Sequence, residues 1–257
     1  MKAALVQFVF AGAVLAAAPL WAQVKDVDPT LGGQGFLLEP TRPTVSLPNS
    51  LVRVYPVRKD QLDDQIRSFP LTIISHRLGE LFWLMPCSGA PDAGAWDRPA
   101  AYDQETTSPY YYSTRFDGSF IRTEFTPAER CGYFRFTFPS GRPVVLLANR
   151  LAGKLRDTGN NSVSGVEQFQ NMQAFFFGEF SAPVEVRKSE AGRRLAVVAK
   201  GGEKVLQFRY GISFISVEQA RKSLQEEIPS WDFEKVKARA HDRWDRVQQG
   251  RQLKLTG

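Results

Sequence analysis

The segment Ile74-Ser75-His76-Arg77-Leu78-Gly79-Glu80 concentrates three polar groups of complementary chemistry. Arg77 offers a fan of N–H donors, Glu80 offers acceptors, and His76 serves as either near neutral pH. That set suits hydroxyl-rich ligands. A ring bonded to nearby backbone fits His76 equally well, so residue type leaves both roles open. The chain's other histidine, His241, stands among Arg239, Asp242 and Arg243 and reads as a solvated helix residue. A Ser-His-Asp nucleophile would have to use one of these two. Glycosidases need two carboxylates at set separations, and spacing pairs none of Asp63, Asp64, Glu80, Asp103, Glu105, Glu124, Glu129 and Glu167. Most of these read as surface charges, so no catalytic residue is assigned. Gly32-Gly33-Gln34-Gly35 lacks the spacing of a phosphate loop, and no Cys/His cluster exists for zinc. No metal ligand is therefore assigned. Tyr110-Tyr111-Tyr112 alternates faces in a strand, so it offers either an exposed ring for a sugar or packing beneath loops. Asn160-Asn161-Ser162 fits a glycosylation sequon and reads as a loop.

Strands must hold the 74–80 segment in place. Leu71-Thr72-Ile73-Ile74 is β-branched, and Leu81 to Met85 is apolar and closed by Pro86. A loop between two such strands is a normal place for binding residues. Asp117-Gly118 between apolar runs is a hairpin signal. Gly201-Gly202, between residues 195–200 and 204–210, reads as a second hairpin. Residues 132–138 alternate, with Phe134, Phe136 and Phe138 on one face and Tyr133, Arg135 and Thr137 on the other. Strands at roughly 10-residue spacing indicate an all-β fold, an antiparallel sandwich. Its expected core holds Phe134, Phe136, Phe138, Val145, Leu147, Phe176 and Phe208.

The termini differ from this pattern. Lys2 followed by an apolar run ending at Leu20-Trp21-Ala22 reads as a signal peptide, residues 1–22. Export to the periplasm or beyond the cell follows, with no membrane span once the leader is cleaved. The sandwich then covers 23–215. Residues 216–257 form two linker helices, the first with Ser216-Val217-Glu218-Gln219 as a capping box. The second carries Phe233, Val236, Ala240, Trp244 and Val247 at helical spacing, a stripe that must dock on something. Hydrophobic content of 43% supports a core, and the net charge of +6 is scattered, which argues against a nucleic-acid face. Export permits Cys87 and Cys131 to pair, provided their Cα atoms come within about 7 Å; free thiols fit the spacing too.

Three stretches together resemble glycoside hydrolase family 92, the α-mannosidases. They are Val27-Asp28-Pro29-Thr30-Leu31-Gly32-Gly33-Gln34-Gly35, then Ile74-Ser75-His76 with Leu84-Met85-Pro86, then Gly211-Ile212-Ser213-Phe214-Ile215-Ser216-Val217-Glu218-Gln219-Ala220 with Trp231-Asp232-Phe233. The resemblance covers nearly the whole mature chain and is to the N-terminal domain of that family. It implies a sandwich joined by linker helices to a helical (α/α)-barrel, which carries the general acid, the general base and bound calcium. This sequence stops at Gly257, after those helices, so no acid or base is carried over. No cofactor is expected in this chain, calcium belonging only to the barrel. The resemblance places His76 and Arg77 beside the sugar pocket, and Glu80 joins them as a substrate-binding candidate. The expectation is a carbohydrate-associated domain, not catalytic alone. It would bind sugar weakly and pair with a barrel domain on a separate chain. A structural or partner-docking module without sugar binding is the alternative.

Overall fold

The computed structural model describes residues 24, 27–30, 43–59, 63–74, 79–92 and 94–249. The expected leader, the glycine-rich segment 31–35 and residues 75–78 lie outside the described residues.

Short strands come first: β1 (Val45–Ser46), β2 (Arg53–Val54) and β3 (Gln65–Ile66). Longer ones follow: β4 (Phe69–Ile73), β5 (Glu80–Cys87), β6 (Ala100–Ser108), β7 (Tyr111–Phe116), β8 (Arg122–Pro127), β9 (Cys131–Thr137), β10 (Val144–Ala148) and β11 (Ala152–Gly159). The strand set closes with β12 (Ser162–Phe169), β13 (Met172–Phe180), β14 (Val184–Ser189), β15 (Arg194–Ala199) and β16 (Val205–Ser213). Two helices end the described chain, α1 (Val217–Glu227) and α2 (Phe233–Gln249). All strand pairs are antiparallel. One sheet runs β14-β15-β10-β5-β4 and the other β11-β12-β13-β16-β9-β8-β7-β6-β3, with β1 and β2 a separate ribbon.

The two sheets bury one core between them, and all seven expected residues lie in it. Period-two alternation explains why. In β9, Phe134 and Phe136 enter this core, while Cys131 and Tyr133 point to the opposite face. That opposite face is covered too. Ala220 and Leu224 of α1 and Phe233 and Val236 of α2 pack there with Tyr111, Tyr133 and Phe177. The sandwich therefore has a third, helical layer, and the apolar stripe of α2 docks on the protein's own sheet.

The local signals act as follows. Asp117-Gly118 joins β7 to β8, with Gly118 at φ +72°. Asn160 and Asn161 adopt φ of +49° and +59° in the turn between β11 and β12, conformations that asparagine tolerates. Ser216 caps α1, its Oγ accepting from Gln219 N–H at 3.1 Å. The reciprocal half of the capping box does not form, because the Gln219 side chain turns to Ser223 and the Oγ of Ser213 accepts from Ser216 N–H. Asp232 caps α2 through Lys235 N–H at 3.0 Å. Trp244 donates its indole N–H to Ser46 C=O at 2.8 Å, tying α2 to β1.

One expectation fails. Gly201-Gly202 is not a hairpin turn: β15 pairs with β10 and β14, whereas β16 pairs with β9 and β13. The two glycines carry the chain from one sheet to the other. The outward residues of β16 include Gly211, which lies against α1, and a Cβ there would meet the carbonyl oxygen of Ala220.

Two substitutions test this layering. Phe176→Ala, in the inter-sheet core against Phe82, should cost about 3–5 kcal/mol in urea unfolding. Gly211→Ala should lift α1 and raise hydrogen exchange in both helices while leaving the β5 amides protected.

Candidate functional site

Glu80 opens β5 at one end of the sandwich. Short-strand and loop residues gather around it. Tyr55, just past β2, donates its hydroxyl to Glu80 Oε1 at 2.7 Å. Arg150 follows β10, the partner of β5, and its Nη2 lies 3.6 Å from Glu80 Oε2. Arg53 donates to the carbonyls of Ile73 and Ile74 at 2.9 and 3.3 Å, fixing the exit of β4. Ile74 N–H meets Gly79 C=O at 2.7 Å, so the two residues that flank 75–78 are held together. Gly79 is required there, since a Cβ would press on Ile74.

A buried carboxylate supports this frame. Glu167 of β12 is fully buried and accepts from the backbone N–H groups of Phe82 and Leu151. Burial raises its pKa above the ordinary carboxylate value, and the backbone donors partly offset that. Phe82 sits at φ +55°, a conformation costing about 1–3 kcal/mol outside glycine. Its bond to Glu167 helps hold it there. Asn149 donates to Val166 C=O at 3.0 Å beside the same carboxylate strand.

The structure sorts the remaining candidates. His76 and Arg77 lie outside the described residues, while Glu80 stands in the frame with Tyr55 and Arg150. His241 is half-buried, edge-on to Tyr110 with ring centroids 5.0 Å apart, so it is less solvated than its charged neighbours imply. No ring of the tyrosine run is splayed outward: Tyr112 enters the inter-sheet core, Tyr111 lies under the helices, and Tyr110 packs on His241. Two acids read as surface charges are buried, Glu167 and Glu124. Glu124 takes two bonds from Arg135, at 2.7 and 2.8 Å, and one from Tyr111 at 2.8 Å. Burial alone would raise its pKa, but Arg135 and Tyr111 hold it below the ordinary value. Cys87 and Cys131 are free thiols on different sheets. Among the described residues no group of three or more His, Cys, Asp or Glu side chains is placed to hold a metal ion. No helix among them is long and apolar enough to cross a membrane.

Fold and frame together define an antiparallel β-sandwich domain with a helical layer on one face and a polar cluster at one end. Residues 26–219 match the glycosyl hydrolase family 92 N-terminal domain, and the chain belongs to that family. Solved structures agree on the fold. An inverting mannosidase of family GH92 from Bacteroides thetaiotaomicron superposes with a TM-score of 0.77 at 22% identity, over 87% of this chain and 36% of that one. The family GH92 hydrolase ccman5 gives 0.72 at 20% identity, covering 87% and 36%. A GH92 alpha-mannosidase from Bacteroides thetaiotaomicron gives 0.71 at 18%, covering 87% and 37%. The chain spans just over a third of the length of these enzymes. No curated protein matches the sequence.

The two buried carboxylates should leave opposite marks on stability. Glu124 has a folded pKa below 4.5, so its contribution is present above that pH and lost as pH falls through the depressed value. Glu167 has a folded pKa above 4.5, so its contribution is present below that pH and lost as pH rises through the raised value. Urea unfolding between about pH 3 and 8 should show Glu124→Gln flattening the loss of stability on the acid side and Glu167→Gln flattening the fall in stability as pH rises above 4.5.

Proposed function

We propose that this domain forms a sugar-facing wall of an exported α-mannoside-processing enzyme, with the catalytic carboxylates on a helical-barrel partner. His76, Arg77 and Glu80 would contact the sugar, and calcium would belong to the barrel. Family membership supports the carbohydrate class, and the GH92 neighbours named as mannosidases support the sugar. The observation that carries the reading is the frame around Glu80. Its carboxylate is oriented by Tyr55 and Arg150 beside the residues that flank 75–78. A fixed acceptor beside the Arg150 donor is chemistry that positions vicinal hydroxyls. Pre-set side chains lower the ordering cost of binding. The leader-like sequence of residues 1–22 is the support for export to the periplasm or beyond.

A docking role has its own support. Leu151, Met172, Phe214 and Ile215 are exposed, Ile215 at 77%. Strand register brings them to the Glu80 end, through Glu167 opposite Gly153 and Ala174, and Phe175 opposite Ser213. An apolar rim around a polar frame fits a wall that a catalytic domain completes.

Half a pocket leaves its ligand wet, and water competes for each hydrogen bond. Ligand-observed NMR with mannose and α-mannobiose should therefore give a dissociation constant of about 1 mM or weaker. Arg77→Ala and Glu80→Ala should each reduce the signal, and the chain alone should not turn over an aryl α-mannoside. Undiminished signal in both variants removes this end from sugar contact, and no signal in any protein favours docking alone.

A further inference from the structure

A second groove lies far from Glu80, on the helix-bearing face of the nine-stranded sheet. It has a volume of about 750 Å3, within the range of about 300–1,000 Å3 typical of small-molecule sites. It runs between the N-terminal end of α2 and the strands β8, β9 and β16. Trp231 and Val205 supply exposed apolar surface, and Arg122, Thr137, Gln207 and Asp232 supply polar groups. Val205 begins β16 and Ser213 ends it, so the groove stands about 25 Å along the strand from the Glu80 end.

The walls are held in place. Trp231, 37% exposed, has the Arg209 guanidinium 4.4 Å from its ring centroid and Tyr133 edge-on at 6.1 Å. Arg209 is itself fixed by Glu179 at 2.6 Å and by Ile228 C=O at 2.7 Å. Gln207 is oriented by Tyr133, whose hydroxyl donates to its Oε1 at 2.7 Å. The Gln207 amide NH2 and the Trp231 indole N–H have no partner among the described residues. Asp232 spends Oδ1 on Lys235 N–H, which leaves Oδ2 to the groove.

Charge narrows the ligand class. Arg135 and Glu124 neutralise one another within the wall, and Glu234 accepts from Arg135 at 2.8 Å. Arg122 and Asp232 have opposite signs. The lining keeps one excess negative charge, because Glu234 has no second cation to match it within the groove, and that disfavours a phosphate or an acidic peptide. An aromatic surface ringed by planar amide, carboxylate and guanidinium groups matches a pyranose, whose C–H face packs on the indole while its hydroxyls meet the polar groups.

We propose that this groove is a binding site for neutral oligosaccharides, separate from the Glu80 frame and built around Trp231 and Gln207. Its position makes it a surface hold for a longer glycan, independent of whether the other end contacts sugar.

The test uses the whole chain. The Trp231 indole N–H is assigned in a 1H–15N spectrum by its loss in Trp231→Phe, and α-mannobiose, maltose and cellobiose are titrated separately. A saturable shift of that resonance with at least one disaccharide is expected. In ligand-observed NMR, Trp231→Ala and Gln207→Ala should weaken binding of that sugar at this groove about fivefold to tenfold. Thermal melts check folding, and Gln207→Ala serves if Trp231→Ala unfolds. A resonance unmoved by all three sugars overturns the proposal, as does a shift that Gln207→Ala leaves at full affinity.

Discussion

Burial of both faces of one sheet is the constraint on which the molecule depends. Tyr133 and Phe134 are neighbours in sequence and lie in different cores, Phe134 between the sheets and Tyr133 beneath the helices. A strand placed this way cannot shift register by one residue without exchanging its two faces. Arg135 shows what that placement allows. It bonds Glu124 on the neighbouring strand, reaches Glu234 on α2, and lies 4.2 Å from the Phe233 ring centroid. Cation and aromatic side chains meet elsewhere on this seam, Arg209 on Trp231 and Lys237 on Tyr111. The contacts at Phe233 and Tyr111 join α2 to strands, and the one at Trp231 joins β16 to the segment between the helices, so helices and sheet are held as one unit.

The same logic governs the polar end. Glu80, Tyr55 and Arg150 come from three separate parts of the chain and meet because β5 lies between β4 and β10. Behind them Glu167 is buried as a hub for backbone donors, not as a reactive acid. A buried carboxylate is tolerable when its lone pairs meet N–H groups. The arrangement gives this end of the sandwich a rigid base on which further contacts can be built.

Local signals were the legible part. Alternation at Phe134-Arg135-Phe136 placed the inter-sheet core, Ser216 marked the start of α1, and the Phe233, Val236 and Ala240 spacing predicted a docked helix. The motifs at 27–35, 74–86 and 211–233 pointed to the family. Illegible were features set by contacts distant in sequence. The bond from Phe82 N–H to Glu167 spans 85 residues, and no spacing rule announces it. Gly201-Gly202 looks like a hairpin because turn chemistry is local, whereas the choice of sheet is made by β10 and β13 far upstream. The end-frame was half legible: Glu80 stood out in its motif, but Tyr55 and Arg150 carry no signal until the strands pair.

The sheet edges have a consequence of another kind. An uncovered strand offers its free N–H and C=O groups to any other chain. The edge strands β11 and β14 carry Lys154, Arg156, Asp157, Glu185, Arg187 and Lys188, charges that discourage such pairing. β4 has no such guard, because every one of its residues is buried. The ribbon of β1 and β2 stands over it instead, with Thr72 Oγ1 donating to Leu51 C=O at 2.5 Å and Arg53 holding Ile73. Cleavage within the ribbon would thus expose an apolar edge, and the nicked protein would be prone to self-association through β4.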